Sequence, residues 1–284
     1  MRTPSIARVL TLFACATVLV AGCNGDDDST DASDDTASPS ESASESTTPP
    51  PPPPRPKKDR CYDLGKTGLA SASSDTDAVP CKNRHTTQTY LVDTLPNRLT
   101  NAQTLDTTAI ADTVSKRCDD SFADRVGGDK ETRTLARVHP VWFVPTADEI
   151  ERGARWFRCD VTVSKQGGKA AALPKSTKGM LDADDALSRW GTCAPADTDS
   201  PEADATLCSQ TDGIQAVSVL DLGGQDKGWP GPDSLRSRGD DCETAVRNHL
   251  DNPTGALSYQ WTYPTQRQWK DGRRYGLCWS GNGP

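Results

Sequence analysis

The chain lacks the short motifs that mark many enzyme active sites. It contains no G-x-S-x-G, H-E-x-x-H, P-loop or G-x-G-x-x-G, the patterns that place a nucleophile, a zinc site or a nucleotide phosphate. Histidine is scarce, with His85, His139 and His249 as its three examples. We therefore predict that the protein is not an enzyme and that it has no catalytic residues and no cofactor.

The chain has no apolar run long enough to span a membrane, and its longest apolar run lies at the N-terminus. Val9–Val20 is too short to span a bilayer as a mature helix, and Arg2 and Arg8 give it a positive start. It ends in Leu-Val-Ala-Gly before Cys23, which resembles the lipobox of bacterial lipoproteins. The resemblance implies a signal peptide at 1–22 and acylation of Cys23. An ordinary secretory signal with a chance cysteine is the alternative.

A tether is predicted at 23–58. Residues 24–48 have eight acidic and no basic side chains and no large apolar residue, so this stretch is predicted to be disordered. Pro49–Pro54 then favours an extended spacer, or alternatively a ligand for an aromatic groove. From Pro49 onward, 30 basic residues nearly balance 32 acidic ones. With no basic footprint, no nucleic-acid partner is expected. We predict a location at the outer face of the plasma membrane.

The remaining cysteines are spaced for disulfides rather than for metal. No C-x-x-C occurs, and the smallest gap between them is that from Cys193 to Cys208, so no metal site is predicted. An even number outside the cytoplasm indicates disulfides. The eight are Cys61, Cys81, Cys118, Cys159, Cys193, Cys208, Cys242 and Cys278.

The eight cysteines form two sets of four with similar spacing, and the stretch that leads to the last cysteine of each set repeats at a constant offset of 119. Such a repeat indicates a duplicated module, with one copy at 59–168, a linker at 169–185 and the second copy at 186–284. Of the three pairings open to each set, we predict first with second and third with fourth. The residues that recur are Trp142, Pro145, Thr146, Gly153, Arg155 and Cys159, matched by Trp261, Pro264, Thr265, Gly272, Arg274 and Cys278.

Each copy is predicted to alternate strands with one longer and one short helix. Thr87–Leu95 and Ile214–Leu222 have β-prone residues, and Val114, Cys118, Phe122 and Val126 lie four apart on one helix face. Capping boxes begin the short helices at Thr146 and Thr265. The predicted class is α+β: two tandem disulfide-stapled modules, each with a small antiparallel sheet, after a disordered tether.

Several landmarks resemble the septum formation family of actinobacterial envelope proteins. In the first copy these are a Pro-Cys ending at Cys81, a nearby His85 and a following β-strand. The resemblance implies an envelope location and a link to septum biology, and it implies no known chemistry. Module 2 departs from the pattern, since Leu207-Cys208 replaces Pro-Cys and Asp212 replaces His85. The closing landmarks are Pro145, Ile150, Gly153, Arg155 and Cys159, and Pro264, Trp269, Gly272, Arg274 and Cys278.

The sequence favours a non-catalytic envelope lipoprotein that binds an envelope protein or a cell-wall partner. His85 and Trp229 are the candidate partner-binding residues; the alternatives are a turn residue that fixes its loop and an aromatic used for packing. A secreted cell-wall-modifying hydrolase with a hidden carboxylate pair is a rival, and so is a solute-binding lipoprotein of a transporter. A deep pocket lined by two carboxylates would favour the hydrolase, whereas a flat apolar patch would favour binding.

Overall fold

The structure, a computed structural model, describes residues 51, 53–99, 107–251 and 254–281. The predicted signal peptide at 1–22 and Cys23 lie outside the described residues, as does most of the predicted tether at 23–58. No helix in the described ranges combines the length and the apolar character needed to cross a membrane. Two antiparallel sheets with packed helices and four disulfides give an α+β fold, which confirms the α+β part of the predicted class.

The first half of the chain builds a four-stranded antiparallel sheet in the order β1-β2-β4-β3. The predicted helix face packs on this sheet, with Val114, Cys118, Phe122 and Val126 all buried. The strands are β1 (Cys61–Tyr62), β2 (Thr87–Thr94), β3 (Val138–Phe143) and β4 (Trp156–Val163), and the helices are α1 (Lys66–Ala70), α2 (Thr107–Val126), α3 (Lys130–Leu135) and α4 (Ala147–Glu151).

The second half builds a five-stranded antiparallel sheet in the order β6-β5-β7-β9-β8. Its longer helix buries Cys242 and Val246 against the sheet. The strands are β5 (Thr192–Ala194), β6 (Thr206–Leu207), β7 (Ile214–Asp221), β8 (Tyr259–Thr262) and β9 (Tyr275–Ser280), and the helices are α5 (Ala186–Trp190), α6 (Pro232–Arg236), α7 (Gly239–His249) and α8 (Gln266–Lys270).

The two sheets share the arrangement of three strands. In both, the last strand lies between an early strand and the strand that precedes it in sequence. Trp142 is opposite Cys159 in the first sheet, and Trp261 is opposite Cys278 in the second. β2 and β7 each carry one register shift where they pair with that last strand, and such a shift bends a strand locally.

The short helices α4 and α8 begin and end in the same way before the last strand of each sheet. Both predicted capping boxes are present, at Thr146 and Thr265. Each threonine hydroxyl accepts from the backbone N–H three residues later, and the side chain of that later residue accepts from the threonine N–H. Each helix is followed by a glycine in the left-handed region, Gly153 at φ 95° and Gly272 at φ 97°. A side chain there would be strained, which explains why glycine recurs.

The arginine two residues after each of these glycines closes the same turn. Arg155 Nη1 donates to the carbonyl oxygens of Ile150 and Ala154, both at 2.7 Å. Arg274 Nη1 likewise donates to the carbonyl of Trp269. These carbonyls lie at or just beyond a helix end, where the backbone acceptors have no partner within the helix. The recurring Gly-x-Arg therefore has a structural role in both halves.

Four disulfides join the elements, and they are the four predicted pairs. Two of them link the longer helix of each half, α2 or α7, to the last strand of its sheet. The other two close the stretch of chain that precedes β2 or β7. The bonded pairs are Cys61–Cys81, Cys118–Cys159, Cys193–Cys208 and Cys242–Cys278.

The segment at 169–185, which the sequence predicted to be a linker, packs into the first half of the fold. Leu173 and Leu181 are buried in the core of the first half, and the Leu181 N–H donates to the Val126 carbonyl at the end of α2. The same core cluster continues to Trp190 and Leu207 of the second half. The segment is therefore part of the fold, because its apolar side chains fill space that the first sheet leaves open.

A buried polar network fixes this segment to the first sheet. The Gln88 side-chain oxygen accepts from the Thr177 N–H at 2.7 Å and from the Thr177 hydroxyl at 2.9 Å. It also accepts from Arg125 Nη2 at 2.8 Å, and Gln88 Nε2 donates to the Lys175 carbonyl at 3.2 Å. One glutamine side chain thus holds β2, α2 and the connecting segment together.

Candidate functional site

A buried pair of opposite charges lies in the centre of the first sheet. Arg158 and Asp160 alternate on β4, with 3% and 0% of their surface exposed, and Arg158 Nε lies 3.5 Å from Asp160 Oδ2. The Asp160 carboxylate accepts from the hydroxyls of Thr87, at 3.0 Å, and Thr89, at 2.7 Å. Burial raises the pKa of the Asp160 carboxyl, and the Arg158 charge and the two hydroxyls oppose that rise.

Aromatic rings hold the Arg158 guanidinium, yet two of its nitrogens have no hydrogen bond. Its Cζ lies 3.6 Å from the centre of the Tyr62 ring and 4.6 Å from that of Phe143. Nε and Nη2 are buried and find no hydrogen-bond partner among the described residues. The Trp156 indole nitrogen, two residues earlier on β4, is in the same condition. Buried donors are nearly always satisfied in folded proteins, so three such nitrogens on neighbouring side chains require an explanation.

These two side chains line a cavity of about 390 Å³, which we call the Arg158 cavity. Tyr62 and Arg60 contribute to its wall, as do the loop at 74–78 and the last residues of the predicted tether. Its charged lining combines four basic with three acidic side chains. They are Arg55, Lys57, Arg60 and Arg158, and Asp75, Asp77 and Glu149.

The second half has no equivalent of this charged pair. At the constant offset of 119, Leu277 occupies the position of Arg158, and Trp279 occupies that of Asp160. Trp279 is fully buried, and its indole nitrogen donates to the Thr262 hydroxyl at 2.9 Å. The same strand arrangement is therefore built with an apolar filling, so the charged pair is not a requirement of the architecture.

His85, a predicted partner-binding residue, is not on the surface. It is 1% exposed, and its Nδ1 lies 2.8 Å from the Asn83 carbonyl oxygen. Its own carbonyl accepts from the Leu173 N–H. The ring is not accessible to a partner in this conformation, and its contacts are those of a residue that fixes its loop.

Trp229, the other predicted partner-binding residue, is half-buried beside a second aromatic ring. It meets Trp269 edge to face with ring centres 5.7 Å apart. Trp269 is buried, donates its indole N–H to the Lys227 carbonyl at 3.1 Å, and stacks under Arg274 at 4.3 Å. These contacts pin the loop that carries Trp229, while part of the Trp229 ring stays open to solvent.

A second concave region, of about 530 Å³, lies between α3 and the second sheet. Glu131 reaches across it, since its Oε1 accepts from the Ser218 hydroxyl and the Val219 N–H, both at 3.0 Å. Part of the polar lining of this region therefore joins the two halves of the fold. No cluster of three or more potential metal ligands occurs in the part of the chain that the structure describes.

The sequence did not single out Arg158 and Asp160. A signal was present, because two opposite charges lie two residues apart in a strand whose other residues are apolar except for Thr162: Trp-Phe-Arg-Cys-Asp-Val-Thr-Val from Trp156. Such charges are almost never fully buried unless they are paired. Their pairing in space could not be seen without the positions of Thr87 and Thr89, which come from a distant strand.

Comparison with known proteins gives one match. The family model described as Septum formation matches residues 58–278, more than half of the chain. The chain belongs to the septum formation family. No curated protein and no solved structure matches it. The septum formation match begins next to the first strand and ends in the last one, so it contains Arg158, Asp160 and Trp156 as well as both sheets.

Proposed function

We propose that this septum formation protein is a non-catalytic binding module of the cell envelope. In this proposal the acylated Cys23 anchors it at the outer face of the plasma membrane, and it acts at the division septum by holding an envelope protein or a cell-wall partner. The observation that carries the proposal is the family match over residues 58–278. Four disulfides support it, because such bonds persist in oxidising compartments outside the cytoplasm.

We also propose that the two halves are tandem copies of one septum-formation-like module, 59–168 and 186–284. The shared strand order, the paired register of Trp142 and Trp261 with the cysteines, and the two capping boxes support this origin. The family model covers both halves in a single match. In the proposal, the charged pair is an acquisition or a retention of the first copy, which makes that copy the binding one.

A hydrolase acting on the cell wall is the second candidate, and one observation favours it. Three carboxylates, those of Asp75, Asp77 and Glu149, line the Arg158 cavity. Paired carboxylates perform general acid–base chemistry in glycosidases. Against this, the Glu149 carboxylate accepts from the Thr146 N–H at 2.8 Å and is engaged in the capping box. A solute-binding role is compatible with the same cavity.

The anchor and the septal role are tested together with a fluorescent fusion of the full chain. We expect the fusion to incorporate a fatty-acid analogue and to concentrate at division septa. The Cys23→Ser variant is expected to lose the label and to leave the membrane fraction, because the protein without its lipid has no stable membrane anchor. Equal labelling of the two chains would refute the anchor, and an even envelope distribution of the wild type would refute the septal role.

Turnover assays separate the binding proposal from the hydrolase. We expect the purified full-length protein to release no product from peptidoglycan or ester substrates. The variants Asp75→Asn, Asp77→Asn and Glu149→Gln should then behave like the wild type in that assay. Product release that one of these substitutions abolishes would replace the binding proposal with the hydrolase.

A further inference from the structure

We infer that the Arg158 cavity binds a small ligand through an oxyanion, either a carboxylate or a phosphate. The inference rests on the proposed binding function and names the ligand class for it. Both cavity-lining side chains with unpaired buried donors, Trp156 and Arg158, carry only N–H groups at their polar ends. Neither a guanidinium nor an indole nitrogen can accept, so the group that satisfies them must be an acceptor.

The need for an acceptor follows from the cost of leaving these donors unpaired. Each buried donor without a partner costs about 1–3 kcal/mol, and more when the group is charged. Asp160 meets part of this need, yet its carboxylate is already shared with Thr87 and Thr89, and it lies 3.5 Å from Arg158 Nε. Arg158 Nη2 and Trp156 Nε1 gain nothing from it. An oxyanion suits them because charge-assisted hydrogen bonds are about twice as strong as neutral ones.

The Arg158 guanidinium is also held in position before any ligand arrives. It lies over both the Tyr62 and the Phe143 rings, and β4 is buried along its whole length. A planar fork fixed in this way matches the two oxygens of a carboxylate or phosphate and loses little side-chain entropy on binding. In the second half, Leu277 and Trp279 take the positions of Arg158 and Asp160, so no guanidinium lies there and the Trp279 N–H is already bonded to Thr262.

The rim of the cavity adds charge of both signs. Lys57 and Arg60 are exposed and form no ion pair within the described residues, and Arg55 donates to the Thr94 hydroxyl at 3.1 Å. Asp75, Asp77 and Glu149 also line the wall. The buried donors of Arg158 and Trp156 therefore select the anionic group, while the charges of both signs at the rim tolerate a ligand that carries a positive group elsewhere. The volume of about 390 Å³ fits the size range of small-molecule sites.

Calorimetric titration of the full-length protein in detergent tests the site with three probes. Inorganic phosphate represents one oxyanion, N-acetylglycine represents the other, and N-acetylglycinamide is the uncharged match to the second. We expect saturable binding of at least one anion and none of the amide. Binding of phosphate alone or of N-acetylglycine alone supports the inference and identifies the source of the oxyanion. Equal affinity for N-acetylglycine and its amide, or no binding of either anion, overturns it.

Substitutions locate the binding to the cavity. Trp156→Phe removes one N–H and keeps a ring, and Arg158→Lys removes the fork and keeps the charge; each should raise Kd by about tenfold or more. The exposed pair Lys57→Ala with Arg60→Ala leaves the sheet intact and should weaken binding about threefold or more. Arg267→Ala with Lys270→Ala, on the exposed face of α8, is the matched control and should not change Kd. Binding that is unchanged in all three cavity variants would contradict the site.

The outcome is separable from that of the proposed function. Septal localisation of the wild type without anion binding overturns the oxyanion site and leaves the binding module in place. Anion binding by a protein that is spread evenly over the envelope supports the site and removes the septal role.

Discussion

Replacing Arg158 with methionine is expected to lower the free energy of unfolding by about 3–5 kcal/mol at neutral pH. The substitution leaves the Asp160 carboxylate fully buried without its counter-charge, and breaking one partner of a buried pair has effects of this size. Urea unfolding of the full-length protein measures it. Arg267→Met, at a 92% exposed side chain, is the control and should stay within about 0.5 kcal/mol of the wild type.

The deficit of Arg158→Met should shrink as the pH falls. Burial already raises the pKa of Asp160, and removing Arg158 takes away an opposing charge, so the folded-state pKa rises further. A carboxyl with a raised folded pKa costs nothing below its unfolded pKa of about 3.9, and the cost grows by about 1.4 kcal/mol per pH unit above it, up to the folded pKa. With Asp160→Asn added, the pH dependence should disappear and most of the loss should be recovered. A deficit that is constant with pH would show that lost packing, rather than the buried charge, causes it.

Replacing Cys118 and Cys159 together with alanine is expected to lower the free energy of unfolding by about 4 kcal/mol. The bond joins α2 to β4 across 41 residues, and the chain-entropy model gives about this value for a loop of that size. Both cysteines are buried in the main core, so the lost sulfur atoms also leave a small void. Such a loss is a large part of the stability of an ordinary domain.

The matched variant is the pair Cys193→Ala and Cys208→Ala, which opens a loop of 15 residues. It should lose about 3 kcal/mol, less than the first pair. Unfolding curves at equal pH and temperature decide the order. A larger loss in the second pair would show that strain or residual unfolded structure, rather than loop length and burial, controls the effect.

Much of the fold could be predicted because similar local sequence patterns occur in both halves of the chain. The strand at Thr87 and that at Ile214, the helix face around Cys118 and the capping boxes at Thr146 and Thr265 are local patterns. Local patterns are set by neighbours three or four residues apart in a helix and two apart in a strand. The pattern in each half therefore supports the interpretation of the other half, including the pairing of the cysteines.

The parts that could not be predicted depend on contacts between distant residues. Thr177 is one polar residue among several in a Gly- and Lys-rich stretch, yet it is 0% exposed and its N–H and hydroxyl both donate to Gln88, 89 residues away. His85 sits next to a charged turn, yet Leu173 covers its backbone from the connecting segment. Polarity in sequence does not reveal a buried partner, so His85 was predicted to be a partner-binding residue and Thr177 was not singled out at all.

The last residues of the predicted tether form one wall of the Arg158 cavity. Pro53, Pro54 and Pro56 line it, and Arg55 between them is attached to the end of β2 through Thr94. The chain therefore reaches this wall before it enters the first strand or the first disulfide. Shortening the chain between Pro53 and Lys57 would therefore alter the lining of the cavity as well as the length of the predicted tether.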